Sequence, residues 1–171
     1  MNDVDTAALL LRLVLGPMLL AHGLNKVLGS GGLSGTAGWF ESLGLRPGPL
    51  HARAAATNEI VAGTLLTVGL LTPLAVAAYV GLMLVAAFTD HRGKGFFVFK
   101  GGWEYVAVVG GAAVVLALLG PGSASLDSAL DIERSGLGWA LGALGLGVAG
   151  GAAFLALFLG PWSRRPAAAR D

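Results

Sequence analysis

The chain of 171 residues is 55% hydrophobic, only 12% charged and free of cysteine, with a net charge of +1 and a mean hydropathy of +0.75. A soluble domain carries about 25% charged residues, so half the usual solvating surface is missing and the chain reads as an integral membrane protein. Near-zero net charge without a basic, aromatic-interleaved stretch excludes a nucleic-acid platform; zero cysteines exclude disulfides, thiolate chemistry, iron–sulfur ligation by this chain and Cys-based zinc sites.

The opening MNDVDTAALLLRLVLG carries Asp3 and Asp5 where a secretory signal would be basic. It is expected to be an uncleaved first membrane helix, from about Thr6 to Leu28. The following GSGGLSGTAGWFESLGLRPG is flexible at its start, and Trp39, Phe40 and Leu43 at helical spacing predict a short helix lying in the interface. His51 reads as a loop residue. The second span is expected from about Ala54 to Leu71, and a Thr72-Pro73 turn leads into the third, Leu74 to Thr89. Pro73 suits a first-turn position, where its missing N–H is no loss. DHRGKGFFVFKGGWEY then supplies interfacial anchors: Phe96, Phe97, Phe99, Trp103 and Tyr105 beside Lys94 and Lys100. The fourth span runs from Glu104 to Leu119 and stops at Gly120-Pro121. The fifth, Gly136 to Leu159, ends at Gly160-Pro161 and a basic tail. None of these runs alternates as barrel strands do, so the fold class is an all-α membrane bundle.

Five spans put Lys26, Arg46, Arg53, Arg92, Lys94, Lys100, Arg164, Arg165 and Arg170 on one side. The other side holds Arg134 and a snorkelling Arg12, a charge near the second surface. By the positive-inside rule the N-terminus is outside and the C-terminus cytoplasmic.

His22, Asn25 and Lys26 fall at i, i+3 and i+4 and share one helix face. Asn58 and Glu59 enter the second span at the same end, Asp90 and His91 close the third there, and Glu104 opens the fourth. Intramembrane ionisable groups pair inside bundles and are functional candidates by default. Glu59 is expected to pair with Lys26 or His22, either fastening two helices or doing chemistry. Gly138 with Gly142 and Gly147 with Gly151 form two GxxxG pairs, small faces for docking to the bundle or to another subunit, a second copy included. A haem would have only His22 and His91 as ligands. A metal site of His22, Glu59 and His91 lacks a compact ligand motif, and neither a nucleophile elbow nor a phosphate loop is present.

The runs LLRLVLGPMLLAHGLNKVLG, WFESLGLRPG, NEIVAGTLLTVGLLTPLAV, LMLVAAFTDHRGKGFF, GGWEYVAVV and LLGPGSASLD, in that order, resemble the DoxX family. The resemblance implies a four-helix transmembrane bundle over residues 1–130, with residues 131–171 as an added transmembrane helix and basic cytoplasmic tail. It carries over Arg12, His22, Lys26, Glu59 and Glu104 as positions in matching motifs. Relatives include a subunit of a thiosulfate–quinone oxidoreductase, and a mycobacterial member is associated with a superoxide dismutase and a sulfurtransferase. The leading expectation is therefore an accessory subunit of a redox or respiratory complex in the cell membrane, with other oxidoreductase subunits as partners and no intrinsic cofactor. The alternative is a quinone-binding subunit using the same polar cluster, and the third a small transporter or proton conductor. The Ala/Gly/Leu/Arg-rich composition suits a high-GC actinobacterium.

Overall fold

The computed structural model describes residues 1–159, among which there are seven α-helices, one 3-10 turn and no strand. Helix α1 (Asp3–Leu28) opens with a capping box: Asn2 Oδ1 accepts from the Asp5 N–H at 2.9 Å, and the Asp5 carboxylate accepts from the Asn2 N–H at 3.0 Å. Helix α2 (Gly32–Ser42) follows. Helix α3 (Gly48–Val68) begins ahead of the expected Ala54. Extended Pro47 leads into it and Pro49 sits in its first turn, so the helix starts where the backbone allows and not where the apolar run begins. His51 is consequently helical and only 2% exposed, which corrects its reading as a loop residue. Gly69, at φ 68°, ends α3 in the left-handed region. Helix α4 (Thr72–Phe88) carries Pro73 in its first turn. A 3-10 turn (Val98–Lys100), α5 (Glu104–Leu119), the short α6 (Leu126–Ala129) and α7 (Leu137–Phe158) complete the order. The expected Gly160-Pro161 stop and the tail with Arg164, Arg165 and Arg170 lie outside the described residues.

By length and composition α1 and α7 can each cross a membrane, and α4 and α5 are shorter apolar helices. Helix α1 packs chiefly on α3, and α7 chiefly on α4. Both contacts depend on missing side chains. A Cβ on Gly63 would sit 2.5 Å from the Leu20 nitrogen, and one on Gly151 would sit 2.9 Å from the Gly81 carbonyl oxygen. Leu15, Leu19, Leu66, Val76, Tyr79 and Leu116 fill the main core between the helices. Helix α2, the expected short helix, buries Ala37 and Phe40 in a second cluster with Leu45, Ala52 and Leu159 and leaves Trp39 exposed.

Arg12 departs furthest from expectation. It is not a surface charge but 2% exposed. Its guanidinium donates to four carbonyl oxygens: Leu66 at 3.1 Å, Thr67 at 3.0 Å, Pro121 at 2.8 Å and Ala124 at 2.9 Å. The last turn of α3 has orphan carbonyls to offer, and a planar five-donor fork can satisfy several acceptors at once. Nearby, the buried Asp127 carboxylate accepts from the N–H of Leu71 and of Thr72 and from the Thr72 hydroxyl, at 2.7, 3.0 and 2.8 Å, capping α4 from the short α6.

Candidate functional site

At the other end of the bundle, the small residues that bring α1 onto α3 also set a charge pair. Gly23 lies so close to α3 that a Cβ there would fall 2.9 Å from the Glu59 Cβ. Lys26 is almost one turn further along α1, within reach of the same carboxylate. Its Nζ donates to Glu59 Oε1 at 2.7 Å and Oε2 at 2.6 Å, with only 14% and 7% of the two side chains exposed. Removing either partner would strand a desolvated charge, so the pair holds both helix and charge state together.

This pair forms part of the wall of a cavity of about 620 Å³. His22, Asn58, Asp90 and His91 also line it. Its apolar walls come from α3, α4 and α7, with alanines such as Ala54, Ala78 and Ala86 and glycines Gly81, Gly147, Gly150 and Gly151. Leu74 and Leu146 line it while remaining exposed, so its apolar side opens on the outside of the bundle. Small residues make the room: a Cβ added to Gly150 would meet nothing within 4 Å.

The other expected residues divide. Asn58 Nδ2 reaches the Ala78 carbonyl at 3.4 Å and ties α3 to α4. Asp90 pairs with Lys94 at 3.1 Å, one turn on. His91 Nδ1 donates to the Gly101 carbonyl at 2.6 Å, so that the loop after α4 folds back on its end. Glu104 is not among the lining residues; its carboxylate accepts from the Val98 N–H at 2.9 Å and closes the aromatic loop. Asn25 is exposed and also stays out of the cavity. Of the four glycines of the two GxxxG pairs on α7, Gly147 and Gly151 press on α4, whereas Cβ atoms at Gly138 and Gly142 would meet nothing within 4 Å. Among the described residues no group of three His, Asp or Glu side chains is placed to hold a metal ion.

Three lining residues carry polar groups that the sequence reading passed over. Tyr79 is 1% exposed, and its hydroxyl makes no hydrogen bond among the described residues. Tyr105 donates its hydroxyl to Met18 Sδ at 3.1 Å. The His51 ring meets Phe154 and Phe158 edge-on at 5.2 and 4.7 Å, and its buried Nε2 has no hydrogen-bond partner among the described residues. A tyrosine in an apolar run reads as core, and a histidine at the head of a helix reads as loop; a small-residue wall facing them is the signal that could have marked both. The arrangement can take up a mostly apolar molecule and meet its polar atoms with an ammonium, a carboxylate and a phenol.

No curated protein and no solved structure matches the chain significantly. A family model described as DoxX matches residues 7–92, half of the chain, from the first helix to just past α4, and thus includes both Lys26 and Glu59. With Lys26 and Glu59 joining α1 to α3 within that matched half, the chain belongs to the DoxX family.

Proposed function

We propose that this chain is a multi-pass membrane subunit of an oxidoreductase assembly and that it binds a quinone-class molecule in its cavity. One observation carries the reading: a mostly apolar space of about 620 Å³ has an ammonium–carboxylate pair in its wall. A quinone needs apolar room for its ring and tail, a donor for a carbonyl oxygen and a protonatable group beside it. Lys26 supplies the donor and Glu59 the protonatable group. Reduction to the quinol takes two electrons, delivered by a partner subunit, and two protons drawn from water at the Lys26 end of the bundle, both relayed in turn through Glu59. In this reading α1, α3, α4 and α5 cross the cell membrane with α7 as a fifth span, and the Lys26 end faces the cytoplasm.

The test is purification from native membranes in mild detergent, with mass spectrometry of the accompanying proteins and lipids. Oxidoreductase subunits and quinone are expected to travel with the chain. Glu59→Gln is expected to abolish quinone reduction and leave the assembly intact. Recovery as a lone particle without quinone would sink the proposal. A second reading, a non-catalytic subunit that holds redox partners, draws on the open Gly138 and Gly142 face of α7, to which a partner helix could come close. Stable partners without quinone, and unchanged turnover in Glu59→Gln, would favour it.

A further inference from the structure

We propose that Tyr79 is a ligand-binding residue of this cavity, donating its phenolic hydrogen to an oxygen of the bound molecule beside Glu59; the inference rests on the quinone-binding reading.

Burial makes Tyr79 unusual. Its side chain is among the largest fully enclosed ones in the core. Buried tyrosines normally find a partner for the hydroxyl, because a desolvated donor left unmet is costly. Tyr79 has none among the described residues, although it lines the cavity. Among the described residues His51 Nε2 is the single buried side-chain polar atom fully closed off without a partner, so the Tyr79 hydroxyl keeps some access to the cavity.

Its level in the bundle follows from a neighbouring bond. Asn58 Nδ2 donates to the carbonyl of Ala78, which sets residues 58 and 59 of α3 against residues 78 and 79 of α4. Tyr79 thus stands at the depth of Glu59 and faces the same space from the other helix. The Lys26 ammonium spends two of its three N–H groups on the Glu59 oxygens, at 2.6 and 2.7 Å, and has one left for a ligand oxygen. Among the described residues the phenol is an uncommitted donor on the buried wall of the cavity, whereas His22, which also lines it without a hydrogen-bond partner, is exposed. A carbonyl oxygen entering here would accept from Tyr79, and the carboxylate beside it would remain ion-paired. The ligand class follows: a lipid-soluble molecule with an acceptor oxygen at one end.

The experiment uses the full chain in nanodiscs with decylubiquinone as probe, followed by quenching of the fluorescence of Trp39, which lines the cavity. Tyr79→Phe removes one oxygen that has no hydrogen bond among the described residues, so its unfolding midpoint is expected to match wild type. Its affinity for decylubiquinone is expected to fall about three- to tenfold, the effect of one hydrogen bond. Infrared difference spectra of the probe carbonyl are expected to show a stretch at higher wavenumber in Tyr79→Phe than in wild type, which a merely structural role would not produce. The chain has two tyrosines, so ring-labelled Tyr105→Phe leaves Tyr79 as sole reporter, and its C–O band is expected to move when probe is added. Saturable binding with the same affinity and carbonyl stretch in Tyr79→Phe, or a Tyr79 band that stays still, overturns the assignment and leaves the quinone reading standing. Absence of saturable binding to the wild type overturns both.

Discussion

Replacing Arg12 with leucine tests whether the buried guanidinium holds the bundle together. In the native chain it donates to four carbonyl oxygens, two on the last turn of α3 and two on the loop after α5. A hydrogen bond from a charged donor contributes about 1.5–3 kcal/mol, so a simple sum would reach about 6–12 kcal/mol. The true loss is smaller, because the four bonds share one side chain and the Leu66 oxygen keeps the Gly69 N–H at 3.2 Å. Leucine also spares the cost of desolvating the charge. We expect a loss of about 3–5 kcal/mol, the range for breaking a buried ionic network. Arg12→Lys keeps the charge but not the planar fork and should recover less than half of that. Denaturant titration of the protein in detergent, read by far-ultraviolet circular dichroism, measures both. An Arg12→Leu variant within about 1 kcal/mol of wild type would refute the assignment of Arg12 as a brace.

Further outcomes follow from the same packing. Gly63→Leu forces a side chain against the Leu20 nitrogen and the Gly16 carbonyl, and should cost at least about 2 kcal/mol in the same titration while loosening the Lys26–Glu59 pair. Gly150→Leu enters open space and should lower decylubiquinone affinity at least about fivefold with the unfolding midpoint unchanged; full affinity would mean that the ligand does not use the α7 wall. His51→Phe replaces a buried, unpartnered imidazole packed on Phe154 and Phe158, and should be neutral or stabilising by about 1 kcal/mol; a clear loss in the denaturant titration would reveal a partner for Nε2.

What could be read in advance depended on where each partner lies. The all-helical fold follows from apolar runs bounded by Gly and Pro, since lipid admits few other ways to satisfy a backbone. Lys26 and Glu59 could be matched because the order of the spans puts both toward the same end of the bundle. Arg12 could not, because its four acceptors are backbone carbonyls, which carry no residue signature. His51 was lost for a different reason. Hydropathy locates the apolar run, whereas α3 starts at Gly48, and the phenylalanines that enclose His51 come from α7. Glu104 shares an end of the bundle with the cavity but turns to the Val98 N–H, so matching depth alone did not bring it in. Tyr79 sits in an apolar stretch where nothing separates a phenol that packs from one that binds.

The four-carbonyl grip on Arg12 also has a history during synthesis. Two of its acceptors, Pro121 and Ala124, lie 109 and 112 residues downstream. At about 5–20 residues per second, Arg12 is synthesised roughly 5–20 s before those carbonyls exist. Until then the guanidinium has at most the Leu66 and Thr67 carbonyls of α3 to donate to. The brace on the first helix is therefore completed only when the loop after α5 has been made.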